Sequence, residues 1–343
     1  MKLLKGVLSI LAMGLFLISA DTLAGVRVVN CDKGGSLQKA IESGAGSASP
    51  VEIQLLGTCY ETFMFTRDRV TINGDGNTTI VGHIRIFSSD QVYLGDLNIT
   101  GPGPGVTVFN GRTRFVRVNL SGNEDSGVYA RQGASVNFVD SRINDNHGEF
   151  GVLLEEAYLV LNNTEVIGNW GHGIMASKNS SVSLGNNSTV HANQGDGIQA
   201  RTSSTVEAIN SHIWGNRDVG ISMRSGSAGE IHDSAINANG QRGLEVAGNS
   251  TLDVFGGMVG WNGEHGVWLT EHSLLKLIDA QVSYNLGHGL VIARDGGAVL
   301  EGNSRIDDNT DANFQVVCHG MEASIEIVPP ALTGPMDCPD ADF

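Results

Sequence analysis

The chain has 343 residues, of which 46 are glycine and only 7 proline, and its formal net charge is −16. That charge excludes nucleic acid as a partner, because binding it requires clustered Lys and Arg. It also weighs against polyanionic glycans unless a divalent cation bridges the two surfaces.

Residues 1–24 read as a secretory signal peptide. Lys2 and Lys5 form a positive start, Val7 to Ile18 an apolar run, and small residues follow at Ala20 and Ala24, either of which can precede the cleavage point. The run is shorter than the ~20 residues that span a bilayer, so no membrane span is expected after cleavage. Removing this segment takes away Lys2, Lys5 and Asp21 and moves the net charge from −16 to −17. The mature chain is expected to be secreted or periplasmic.

Residues 25–60 are expected to form an N-terminal cap and a first coil. The segment GSLQKAIESG (Gly35 to Gly44) predicts a short helix with Ser36 as its cap and Leu37, Ala40 and Ile41 on one face. There are four cysteines, two near each end of the mature chain: Cys31, Cys59, Cys318 and Cys338. With no CxxC pair a zinc site is not expected. In an exported chain the natural pairing is Cys31–Cys59 and Cys318–Cys338, one bridge for each end.

From residue 61 to 317 the chain repeats. A glycine followed by an aliphatic residue recurs from Gly127-Val128 to Gly289-Leu290 at spacings of 22 to 24 residues. An asparagine precedes each glycine by four residues: Asn123, Asn169, Asn193, Asn216, Asn239, Asn262 and Asn285; Asn146 is shifted by one. Asn309 opens one more coil, in which Asn313 stands at the glycine position. A second aliphatic series (Ile143, Val166, Val190, Ile213, Ile236, Val259, Val282, Ile306) and a third (Val136 and Phe138, Val182 and Leu184, Val206, Leu252 and Val254) keep the same period. Each repeat therefore holds three short strands separated by turns. Strands this short bury a core only by stacking coil on coil, each aliphatic touching its counterpart ~4.8 Å above and below. The asparagines fall at one corner and can form a ladder of amides; asparagine also tolerates the left-handed backbone that a sharp corner needs. A weaker version of the pattern runs from Val51 to Asn123. The count is about eleven coils, a rod ~50 Å long, and residues 318–343 read as an irregular C-terminal cap.

The repeat, the capping helix and the segment GTCYETFMFTRDRVTINGDGNTTI resemble the right-handed parallel β-helix, pectin-lyase-like superfamily over nearly the whole mature chain. The resemblance implies an all-β single-domain solenoid. It does not by itself imply one activity, because that superfamily holds lyases, hydrolases, epimerases, tailspikes and proteins without assigned roles. Its enzymes place catalytic groups on the outer face of one parallel sheet, and here the strand after each glycine is the candidate. Residues two and four after the glycine should point out, for example Tyr129 and Arg131, Gln199 and Arg201, and Ser222 and Arg224. A column just before the glycine holds Phe150, His172, Asp196, Val219, Arg242, His265 and His288.

Arg242, His265 and His288 lie on successive coils beside Trp268 and Glu264. A sugar stacked on Trp268 would let Arg242 neutralise a uronate while His265 removes a proton, the needs of β-elimination. His265, Arg242 and His288 are thus the candidate catalytic residues, and Trp268, Glu264, Arg224, Arg201 and Tyr129 the candidate substrate-binding ones. Asp125 and Glu149 share a register in adjacent coils and are candidate Ca²⁺ ligands; no cofactor is required by the sequence. Hydrolysis is disfavoured: Asp196 and Glu245 are ~14 Å apart by strand geometry, beyond the carboxyl separation of glycosidases, although Asp196 and Asp218, at ~6 Å, are permissible. The polygalacturonase elements are mimicked by Gly171-His172-Gly173, Gly287-His288-Gly289, Asn309-Thr310-Asp311 and Asp307-Asp308, but in reversed order. The Asp-Pro-Pro-His motif of alginate epimerases is absent. The expectation is a polysaccharide-interacting protein, acting as a lyase or epimerase in a groove on one sheet. The alternatives are a non-catalytic glycan-binding rod and a purely structural β-helix, and the oligomeric state is left open.

Overall fold

The computed structural model describes residues 25–43, 49–310, 314–320 and 322–338; the segment expected as a signal peptide, residues 1–24, and Asn313 lie outside them. Three parallel sheets of 14, 13 and 13 strands run the length of the rod. The chain visits them in rotation, and every strand hydrogen-bonds its counterpart one coil away. Thirteen turns replace the expected eleven, giving a rod of ~60 Å. The difference lies at the ends, where the period is weakest. Strands at Phe63–Phe65, Ile84–Phe87 and Val106–Phe109 already belong to the second sheet, and Val316–His319, Ser324–Ile327 and Leu332–Thr333 extend all three sheets beyond residue 317. The solenoid therefore runs into the segment expected as an irregular cap.

Stacking in register makes the core. Ile84, Val106, Val128, Val152, Ile174, Ile198, Ile221, Leu244, Val267, Leu290 and Val316 form one column in the second sheet, each 0% exposed. Phe115 and Phe138 stack inside at 4.4 Å. The N-terminal bore is closed by the helix Leu37–Glu42, capped by the Ser36 side chain, with Leu37 and Ile41 buried in the core. Both disulfides pair as expected, Cys31–Cys59 and Cys318–Cys338. No helix among the described residues is long and apolar enough to cross a membrane.

The asparagine ladder is continuous. Asn216 shows its logic: its Nδ2 donates to Asn239 Oδ1 at 3.0 Å and to Val190 O at 3.1 Å, while its Oδ1 accepts from Asn193 N and Nδ2. The ladder runs from Asn123 to Asn309 and ends on Gln315, whose Oε1 accepts from Asn309 N and Nδ2. Two expectations are corrected here. The left-handed residue at the corner is the one before the asparagine, as at Asp145, Ala192 and Ala238; asparagine is there for its amide. Gln315 occupies the glycine position of the last coil rather than Asn313, since Leu290 pairs with Val316. The repeat glycine also has a reason the sequence does not display. A Cβ on Gly220 would lie 2.6 Å from Gly243 O and 2.7 Å from Asn239 Nδ2, so the strand start is pressed against the ladder. Serine ladders brace a second corner, with Ser180 N donating to Ser204 Oγ and Ser250 N to Ser273 Oγ.

Candidate functional site

The outer face of the second sheet is built from the two outward positions of each strand and the loop that precedes it. In that loop the ladder asparagine is held inside, so the residue after it is forced outward. In two successive coils this residue is His147 and then Trp170, whose rings lie 4.4 Å apart. Trp170 is 64% exposed. Beside it a groove of about 570 Å³ opens over the strands His172–Ser177 and Ile198–Arg201, lined by His172, Gln199, Arg201 and Asp218 among others. Arg201, expected as substrate-binding, lies here, and its guanidinium makes no ion pair among the described residues.

The groove wall is an ordered polar column. Asp196 N–H donates to His172 Nδ1 at 3.0 Å. That fixes the neutral imidazole with its proton on Nε2, so His172 presents a donor to the groove side of the ring. Asp196 is 5% exposed; its Oδ1 accepts from Val219 N and its Oδ2 from Gln199 Nε2. Burial pushes the Asp196 carboxyl above its ordinary range, against the opposing pull of His172. Both oxygens are thus engaged, and the nearby Asp218 binds Gln241 Nε2. The sequence signal for this groove was present but diffuse: a tryptophan directly after a ladder asparagine, followed by Gly171-His172-Gly173.

The residues expected as catalytic do come together several coils away. Arg242 lies over the Trp268 ring at 4.5 Å, and His265 lies 5.5 Å from Trp268 and 5.4 Å from His288. Glu245, which the sequence reading left out of the site, is the pivot. It is 7% exposed and accepts from Arg242 at 2.8 Å and from Arg224 at 2.7 Å. Arg242 Nε also faces Glu264 at 3.4 Å. The Arg242 charge is therefore already matched by two carboxylates and an aromatic face. His288 N–H donates to His265 Nδ1, while His288 Nδ1 sits 2.8 Å from Phe314 O and must donate to it. His265 accordingly carries its neutral-form proton on Nε2, and His288 has its basic nitrogen at Nε2.

Tyr129 belongs to a third group. Its hydroxyl donates to Glu155 at 2.5 Å, Lys178 pairs with Glu155 at 2.6 Å, and Arg131 covers the Tyr129 and Phe109 rings. Burial and the Glu155 bond raise the Tyr129 phenol, and the bonds from Lys178 and Tyr129 lower the Glu155 carboxyl. Asp125 and Glu149 are exposed neighbours in register, with Asp125 Oδ1 accepting from Ser126 N. Among the described residues no group of three or more His, Cys, Asp or Glu is placed to hold a metal.

The family described as "Right handed beta helix region" matches residues 82–206 and 178–275. No curated protein sequence matches the chain. Among solved structures, the A-module of the Azotobacter vinelandii mannuronan C-5 epimerase AlgE4 is similar, with a TM-score of 0.63 and 15% identity, covering 90% of this chain and 97% of that one. The A-module of the Azotobacter vinelandii mannuronan C-5 epimerase AlgE6 follows, at a TM-score of 0.52, 14% identity, and 90% and 98% coverage. The periplasmic alginate epimerase AlgG has a TM-score of 0.50, 12% identity, and 90% and 83% coverage. At these identities the likeness establishes the shared solenoid.

Proposed function

This chain belongs to the right-handed β-helix family, and we propose that it binds a uronate-containing polysaccharide lengthwise along the outer face of the second sheet. The observation that carries the reading is the groove between Trp170 and Arg201, where an exposed indole stands beside an unpaired guanidinium. A sugar ring would stack on the first and its carboxylate would meet the second. The charge of the face supports this. Across the strands from Ile84–Phe87 to Ile221–Arg224 the outward side chains include Arg85, Arg131, Arg201 and Arg224 against a single carboxylate, Glu155. The loops before these strands carry Asp125, Glu149, Asp196 and Asp218, so the arginines form a cationic strip within the strands that is bordered by an acidic loop edge. The three structures similar in fold are named for mannuronan or alginate epimerases, which supports the same substrate class. The two disulfides support an exported, oxidising location.

The test is calorimetric titration with hexamers of mannuronate, galacturonate and glucose. A uronate hexamer should bind more tightly than the glucose hexamer. Arg201→Gln and Trp170→Ala should each weaken that binding at least about tenfold. Equal affinity for all three hexamers, or indifference to both substitutions, would overturn the proposal.

A catalytic extension follows from the same reading. β-Elimination and C5-epimerisation both begin by removing the proton beside a carboxylate, whereas hydrolysis would require carboxyls that Asp196 and Asp218 already commit to hydrogen bonds. Unsaturated uronides by ultraviolet absorbance, or deuterium incorporation at C5 by NMR, with and without Ca²⁺, would reveal it. His265→Ala should abolish either signal if the Arg242–His265–His288 cluster performs the step. No product from any uronate polymer would sink the extension while leaving binding intact.

A further inference from the structure

In an asparagine followed by glycine, the glycine nitrogen can attack the asparagine side chain with no Cβ to crowd it. The chain holds four such pairs: Asn73-Gly74, Asn110-Gly111, Asn239-Gly240 and Asn262-Gly263. Close packing of the coils requires the glycine in each. A Cβ would lie 2.2 Å from Asp96 O at Gly74, 2.4 Å from Ser89 O at Gly111, 2.1 Å from Arg217 O at Gly240 and 2.2 Å from Gly240 O at Gly263. A bulkier residue cannot replace the reactive partner at these positions.

In three pairs the attacking nitrogen is engaged. Gly74 N–H donates to Gly95 O, Gly240 N–H to Asn216 O and Gly263 N–H to Asn239 O, each at 2.8 Å. In the ladder the side chain under attack is held as well. Asn239 and Asn262 are 1% and 0% exposed, and each Nδ2 donates to the next asparagine and to a backbone carbonyl. Asn110-Gly111 lacks both restraints. Asn110 is exposed at the corner that leaves the strand Val106–Phe109, and its Nδ2 makes a single long bond, to Ser88 Oγ at 3.4 Å. Gly111 is buried, yet its N–H makes no hydrogen bond among the described residues, a rare state for a main-chain donor.

We propose that Asn110 is a deamidation site, the Asn-Gly pair that this fold leaves open to reaction. The Gly111 nitrogen loses its proton to hydroxide and attacks Asn110 Cγ. The N–Cγ bond forms, the Cγ–Nδ2 bond breaks, and Nδ2 takes up a proton from water and leaves as ammonia. Water then opens the succinimide. Opening at the N–Cγ bond gives aspartate; opening at the main-chain carbonyl gives isoaspartate. Either product places a carboxylate next to Phe109, whose ring Arg131 covers, and so changes the charge of the arginine strip on the second sheet. Isoaspartate also adds a methylene to the main chain just before the strand Arg112–Val116.

The full chain is incubated folded, at neutral and at mildly alkaline pH, and in parallel in denaturant. It is then digested, its peptides are weighed, and the aspartyl and isoaspartyl products are separated by chromatography. In the folded chain Asn110 should convert at least about tenfold faster than Asn73, Asn239 or Asn262, and faster at the higher pH because the attacking nitrogen must lose its proton. In denaturant the four rates should converge. Asn110→Gln, whose longer side chain disfavours ring closure, should remove the folded chain's rapid conversion. It should also keep its circular dichroism, since Gln132 holds the same corner one coil on with φ of 53°. Conversion of Asn110 no faster than that of the ladder asparagines in the folded chain, a gap that persists in denaturant, or rapid acidification that survives in Asn110→Gln would overturn the assignment.

Discussion

The asparagine ladder allows a stability prediction to be worked from the hydrogen bonds. In Asn216→Ala the N–H and one Nδ2–H of Asn193 lose their acceptor, and Val190 O loses its donor. Asn216 is 1% exposed, so water does not replace them. At about 1–3 kcal/mol for each buried group left unmade, the loss is at least about 3 kcal/mol. Asn216→Asp should be worse at neutral pH, because it sets an oxygen against Val190 O and Asn239 Oδ1, the two acceptors that Nδ2 now serves. Its carboxyl would be pushed up by burial, so the unfolded chain would ionise first and stability would fall as pH rises above ~4. Acidification should therefore rescue Asn216→Asp and leave Asn216→Ala unchanged. Because each coil touches only its neighbours, the damage should be local. Hydrogen exchange read coil by coil, with denaturant unfolding at two pH values, measures both effects. A loss below ~1 kcal/mol in Asn216→Ala, with full protection kept in the coils of Asn193 and Asn239, would refute the idea that the amide ladder holds this corner.

Gly220→Ala should cost more than ~2 kcal/mol, since its Cβ would fall 2.6 Å from both Gly243 O and Ile236 Cγ2, while Gly185→Ala, whose nearest atom is 3.9 Å away, should be within ~0.5 kcal/mol of neutral in the same melts. Burial raises the Asp196 carboxyl, so the unfolded chain ionises at lower pH than the folded one and stability declines as pH rises from ~4 towards the folded value. Asp196→Asn should flatten that decline in a pH series of unfolding midpoints; an unchanged slope would show that Asp196 is not its source. Replacing Cys31 and Cys59 by serine opens a loop of 28 residues and should cost about 3–4 kcal/mol by chain entropy. Exchange should rise around the helix Leu37–Glu42 before it rises in the middle coils.

In a solenoid, sequence separation maps directly onto spatial neighbours, and this governs what could be read without coordinates. A residue and its counterpart 22 to 24 positions later are stacked, so the core columns, the Asn123-to-Asn309 ladder and the meeting of Arg242, His265 and Trp268 were legible as periods, while the disulfide pairing was legible from two cysteines lying near each end. The period faded where coils shorten or cysteines intervene, which is why two turns went uncounted. It also marked the glycine without its reason, which lies in the ladder pressing on Gly220 from the next coil. Tertiary structure alone decided what the outward side chains do. Glu245 binds two arginines because Arg224 and Arg242 reach it from different positions of neighbouring coils, and no spacing rule specifies such rotamers. The groove at Trp170 and Arg201 arises from loop shape around an internally held Asn169. Backbone register is set by burial and hydrogen bonding, which are periodic in the chain; the free face is shaped by side chains that answer only to their local neighbours.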